Sequence, residues 1–364
     1  MNPLDAEDLR VRVHKALEDF LSRQADALEA VSPDCAPMLE ASADLMRGGK
    51  RLRPAFCYWA WRGAGGVDSE PIVTASAALE FFQAAALIHD DVMDDSDTRR
   101  GRPAAHRVFA DLHARNGWSG EPRRFGDASA ILLGDLALVL SGQAFDDAVA
   151  GAPTHVQRRG RAVFDAMRAE VTVGQYLDAL AQAMPWGQDP ASDELRAREV
   201  IRAKSARYSV QHPIVLGAAL ADADDDALAA CGAVGLPLGE AFQLRDDLLG
   251  VFGDPASTGK PAGDDLREGK RTVLVARAMA RARAAGDAST ADLLLDGLGR
   301  TDLTAADIAA MTTVLAASGA PAEVEALIGE LAAPAFVALA ALPLAEPGGA
   351  MLAALAHAAV DRHA

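Results

Sequence analysis

Positive charge is in short supply in this chain: 35 Lys and Arg stand against 52 Asp and Glu, a formal net charge of -17. Phosphate backbones and anionic bilayer surfaces repel such a chain, which argues against nucleic acid or membrane surface as general partners. Aromatic residues are also few, at 5%, while half the residues are apolar and many of those are alanine. Strands want aromatic and β-branched residues and helices favour Ala, so an all-α fold is expected. Only three cysteines occur, Cys35, Cys57 and Cys231, with no close spacing. That excludes a cysteine metal motif and fits a reduced, cytoplasmic setting. Residues 1–8 are acidic and lack an apolar core, so no signal peptide is expected. The most apolar stretch, near 333–345, is shorter than the roughly 20 residues of a bilayer span and contains Pro343. No stable membrane insertion is expected.

What is present is helical periodicity. Leu9, Val13, Leu17, Phe20 and Leu21 recur at three- and four-residue spacing through 5–30. Further helices are predicted at about 36–47, 53–64, 70–95, 102–115, 125–151, 154–183, 192–220, 224–252, 270–286, 289–298, 304–317, 320–342 and 348–361. The loops at 116–124, 185–192 and 253–269 are rich in Gly, Pro or polar residues; so long a loop as the last is usually functional or disordered. One helical domain over 1–364 is expected, with its motifs within 45–272 and an Ala-rich helical region over 273–364.

The chemistry concentrates in two aspartate pairs. The first, Asp90-Asp91-Val92-Met93-Asp94, closes a nearly all-apolar helix and is followed by Arg99-Arg100-Gly101. Asp90 and Asp94 share a helix face. A helix C-terminus disfavours anions, so a cation is the natural compensation; a solvated acidic helix end is the plainer alternative. All-oxygen ligands suit Mg²⁺, which leaves positions for water and substrate phosphate. Arginine forks match phosphate oxygens. The second pair, Asp246-Asp247, ends another apolar helix one turn after Gln243, with Lys260 and Lys270 behind Gly259 and Gly269. Asp264 and Asp265, between the lysines, either pair with them or hold the loop. Together the clusters suggest a diphosphate held between two metal-loaded walls. The basic turn Gly48-Gly49-Lys50-Arg51-Leu52-Arg53-Pro54 reads as a second anion site, or else as a positive helix cap. His89 and His106 are read as packing histidines. Gly174-Gln175 with Asp178 reads as a buried polar patch.

Taken together, 48–54, 90–101, Lys204-Ser205, 242–247 and 259–270 resemble the motifs of the trans-isoprenyl diphosphate synthase (polyprenyl synthetase) family, the bacterial geranylgeranyl diphosphate synthases in particular. The resemblance covers at least 45–272. It implies an all-α, single-domain bundle of antiparallel helices around a deep central cavity, a homodimer and three Mg²⁺ ions. By motif, Asp90, Asp94 and Asp246 bind metal with Asp91 and Asp247 in support. Arg99, Lys204, Ser205, Gln243, Lys260 and Lys270 hold the allylic diphosphate. Lys50, Arg53 and Arg100 hold isopentenyl diphosphate. Asp90, Asp94, Arg99, Lys204, Asp246 and Lys260 form the catalytic set. Two positions depart from the pattern. Gly250 stands where the second motif usually has a third Asp. Gln83 stands where a substrate-binding His is common; two turns before Asp90, it still shares that face, and its amide can donate to phosphate.

The implied reaction is ionisation, condensation and elimination, joining isopentenyl diphosphate to a dimethylallyl, geranyl or farnesyl starter. The tail is expected to grow along the Asp90 helix. Ala85 and Ala86 leave room, and Phe82, roughly 12 Å from Asp90 along the axis, is expected to be the floor, with Phe81 as second candidate. A twenty-carbon product is expected, with fifteen and twenty-five carbons as alternatives. A class I terpene cyclase shares the first Asp cluster, but its usual second motif places Asn, Ser and Glu where this chain has Asp246-Asp247. A non-catalytic regulatory subunit would have lost the carboxylates or cations that this chain keeps.

Overall fold

The computed structural model describes residues 2–253, 263–300 and 302–361. Among them the only strands are a two-residue antiparallel pair, Thr98–Arg99 with Arg102–Pro103; helices make up most of the rest. The chain is all-α, as its composition predicts.

The helices gather into two compact units. One comprises Met1–Phe164, Pro213–Leu228 and Pro343–Leu355; the other comprises Asp165–His212, Ala229–Leu342 and Ala356–Ala364. In the first, the helix Glu70–Met93 packs mainly on Pro122–Val149 and also on Leu52–Gly63 and Leu9–Glu29. Its side chains are buried nearly all round, which is why 75–89 is almost continuously apolar. Leu9, Val13, Leu17 and Phe20 form the buried stripe of the first long helix, and Phe20 meets Phe81 at 5.2 Å between ring centroids. In the second unit, Val273–Ala284 packs on Pro190–Val200, Ala288–Gly297 and Ala320–Ala341.

Two features depart from the sequence expectation. The helix predicted over 192–220 is three segments: Pro190–Val200, a π-helix at Ile201–Gln211, and His212–Leu220. The helix predicted from 102 begins at Ala105, because 98–103 forms the small hairpin. Its turn residues Arg100 (φ 54°) and Gly101 (φ 73°) both have the positive φ that a two-residue hairpin turn requires.

Four helices are long and apolar enough to cross a membrane by length and composition: Glu70–Met93, Pro122–Val149, Asp225–Phe252 and Ala320–Ala341. This corrects the expectation that no stretch was long enough. The apolar window of Glu70–Met93 is 72% buried inside the protein, so its hydropathy serves the interior.

Candidate active site

In the first unit the Asp90 helix ends where the sequence places its carboxylates. Asp90 and Asp91 lie in its last turn and are buried; Asp94 is the C-cap residue. The hairpin returns Arg99 to this end. Its Nε donates to Asp91 Oδ1 at 2.8 Å, its Nη2 bonds the same oxygen, and Nη2 lies 3.6 Å from Asp90 Oδ2. Asp95 and Asp97, just before the hairpin, pair with Arg107.

The neighbouring Arg100 turns elsewhere. A Cβ on Gly49 would stand 3.2 Å from its Nη1, so that glycine leaves room for the guanidinium beside the basic turn. Desolvation pulls the Arg100 pKa down, Glu80 opposes, and the nearby charges of Arg51, Arg99 and Arg53 lower it further. Arg53 is half-buried and Lys50 exposed. Arg51 does not belong with them: it is buried, and its guanidinium bonds Glu80 and the Met46 carbonyl. Sequence reading passed over Glu80, although a lone carboxylate in an apolar helix was a visible signal.

Along the Asp90 helix, Gln83, Ala86 and Leu87 are half-buried and form a partly open stripe running to Asp90. Ala85 is fully buried, so Ala86 is the alanine on that stripe. Phe82, one turn before Ala86, is buried, and Phe81 belongs to the core against Phe20. His89 Nε2 lies 3.1 Å from the Ile131 carbonyl, and His106 is buried, with burial pushing its pKa down.

In the second unit Asp246 is half-buried and Asp247 buried. Gln243 Nε2 donates to Asp247 Oδ1 at 2.8 Å, one helical turn away. Burial pushes the Asp247 carboxyl up to about 8, with Asp265 and Asp246 adding to the rise and Gln243 and Lys270 opposing it. Lys270 Nζ sits 2.5 Å from Glu268 Oε2 and 3.7 Å from Asp265 Oδ1. Arg245 faces away, bonding Glu325 and the Val360 carbonyl. Lys204, on the π-helix, holds Asp178 at 2.6 Å, with Ser205 half-buried beside it. Gly174 lets the two backbones pack closely here, since a Cβ there would lie 2.4 Å from the Lys204 backbone nitrogen. Gly259 and Lys260 lie outside the described residues.

Among the described residues, no three His, Cys, Asp or Glu side chains converge to hold a metal ion by themselves. Mg²⁺ asks for less: one or two carboxylates, with waters and phosphate oxygens completing its shell. Buried carboxylates beside Arg99 in one unit, and beside Gln243 and Lys270 in the other, are a donor set of that kind.

Helices this dominant, and carboxylate pairs ending two apolar helices beside cations, define an all-α isoprenoid synthase. The chain belongs to the polyprenyl synthetase family, whose model matches residues 36–311. It is 34% identical over 267 residues to a geranylfarnesyl diphosphate synthase of Aeropyrum pernix, covering 72% of this chain and 74% of that protein. It is 32% identical over 244 residues to a geranylgeranyl diphosphate synthase of Saccharolobus solfataricus, covering 67% of each. A crystal structure of geranylgeranyl pyrophosphate synthase from Corynebacterium glutamicum, complexed with isoprenyl diphosphate and magnesium, superposes with a TM-score of 0.89 at 38% identity. That match covers 96% of this chain and 98% of the other.

Proposed function

We propose that this enzyme condenses isopentenyl diphosphate with an allylic diphosphate, with Mg²⁺ as cofactor, and releases geranylgeranyl diphosphate as its main product. The observation that carries the product length is the partly open stripe Gln83, Ala86 and Leu87 leading from Asp90, with Phe82 buried one turn before Ala86. Small side chains near the carboxylates leave space for a growing tail, and a Phe two turns back limits it. Family membership and the magnesium in the Corynebacterium structure support the metal.

Asp90 and Asp94, with Asp91 in support, serve as metal ligands in the first unit; Asp246 with Asp247 does so in the second. These carboxylates would hold three Mg²⁺ ions, which would supply charge neutralisation on the diphosphate. Arg99, Lys204, Ser205, Gln243, Lys260 and Lys270 bind the allylic diphosphate and stabilise the charge that grows as its C–O bond breaks. Arg53, Arg100, Lys50 and Gln83 orient isopentenyl diphosphate. Its double bond attacks the allylic carbon to form the new C–C bond, and the departing diphosphate takes the proton. The apolar helix excludes water, which would otherwise capture the cation. The enzyme works as a homodimer of single-domain chains in the cytoplasm.

The test is mass analysis of products from isopentenyl diphosphate with each allylic starter and Mg²⁺. Wild type is expected to accumulate the twenty-carbon diphosphate, and Phe82→Ala to shift the distribution to longer chains. An unchanged distribution in Phe82→Ala would remove Phe82 as the floor. A hydrocarbon product from geranylgeranyl diphosphate alone would overturn the synthase reading in favour of a cyclase.

A further inference from the structure

Gly250 is the one gap in the second carboxylate wall. It stands four residues after Asp246 and three after Asp247, and so neighbours both along the helix surface. The space beside it is filled. A Cβ at Gly250 would lie 2.1 Å from Asp265 Oδ2 and 2.8 Å from its Cγ. The returning loop is pinned here by backbone, since the Gly263 N–H donates to the Gly250 carbonyl at 3.0 Å. Gly263 has φ +74°, a conformation that suits glycine, and the short helix Asp264–Arg267 follows directly. The Lys270 N–H then donates to the Asp265 carbonyl at 2.9 Å, holding Lys270 Nζ within 3.7 Å of Asp265 Oδ1. The bare position on the long helix and the carboxylate of the short helix Asp264–Arg267 therefore meet at one place.

We propose that Asp265 is a positioning residue that supplies the third carboxylate of this wall, in the space left by Gly250, and orients the magnesium shell and Lys270 toward the allylic diphosphate. The proposal rests on the reading of Asp246 and Asp247 as metal-binding. As a positioning residue, Asp265 would hold metal-bound water and would not touch the ion. It also explains why Gly250 is compatible with a working wall: a side chain there would force Asp265 aside.

Titration of Mg²⁺ into the full-length protein with inorganic pyrophosphate, followed by calorimetry, tests this without turnover. Asp265→Asn keeps the shape and removes the charge. It is expected to raise the half-saturating Mg²⁺ concentration by about tenfold or more, the usual cost of losing an outer-shell partner, with an unchanged circular dichroism spectrum. Moving the carboxylate back to the helix, in the double variant Gly250→Asp with Asp265→Ala, is expected to recover most of what Asp265→Ala loses. Asp246→Ala separates the two levels of inference. If it weakens Mg²⁺ binding and Asp265→Asn does not, the role of Asp265 is overturned alone. If Asp246→Ala leaves the titration unchanged, the metal reading of the wall falls and Asp265 falls with it. A double variant no better than Asp265→Ala would overturn the substitution of one carboxylate for the other.

Discussion

Arg51 and Arg53 are two positions apart in one basic turn, yet they do different work. Arg51 adopts φ +57° and points inward, where Glu80 and the Met46 carbonyl take its guanidinium. Arg53 stays half-buried and near enough to Arg100 for its charge to be felt there. Three cations within four residues look alike in a sequence. What separates them is a carboxylate 29 positions later, and such a partner is chosen by tertiary packing. The Arg51–Glu80 pair is buried on both sides, so removing one member strands the other's charge. Glu80→Leu is expected to lower the unfolding free energy by about 3–5 kcal/mol in urea denaturation. A change close to zero would show that Arg51 finds water instead. The same limit hid Asp265: its position was visible, and its place against Gly250 was not.

At the scale of elements, most of the fold was legible. Helix boundaries fell within a few residues because apolar periodicity marks the buried faces and Pro, Gly and capping residues punctuate the ends, as at Pro122, Pro190 and Thr304. The hairpin at 98–103 escaped because strands of two residues carry no period. The π-helix at Ile201–Gln211 escaped because nothing in its sequence separates it from an α-helix; in the fold, neighbouring backbone packs close on it. A Cβ at Gly239 would come within 2.3 Å of the Ala206 carbonyl oxygen, and one at Gly235 within 2.6 Å of Gln211 Cα. Gly239→Ala is therefore expected to destabilise the protein by about 1–3 kcal/mol through overpacking. The same variant is also expected to raise the KM for the allylic diphosphate, because Lys204 and Ser205 ride on the crowded segment. A lowered melting temperature with an unchanged KM would detach the π-helix from substrate binding.

For the whole molecule, neither compact unit is a continuous stretch of chain. The first takes 1–164, then 213–228, then 343–355. Its late segments pack closely on its early ones. Gly217 approaches Cys57 so nearly that a Cβ would lie 2.1 Å from the Cys57 carbonyl oxygen, and the Ala345 N–H donates to the Gly63 carbonyl at 2.7 Å. Expressed alone, 1–164 lacks both partners and is expected to melt without a cooperative transition, as read by circular dichroism. A sharp transition would show that this segment folds by itself. The acidic surplus of the whole chain is likewise not distributed evenly, since Lys50, Arg51, Arg53, Arg99 and Arg100 are gathered by two turns of one unit. The π-helix has a last consequence, for anyone who engineers this protein. Its hydrogen bonds run from i to i+5, so each turn takes more residues than in an α-helix and the faces of 201–211 do not continue those of the helices on either side. A chemical staple or charge pair laid out on α-helical angles across 201–211 would be out of line with its partner.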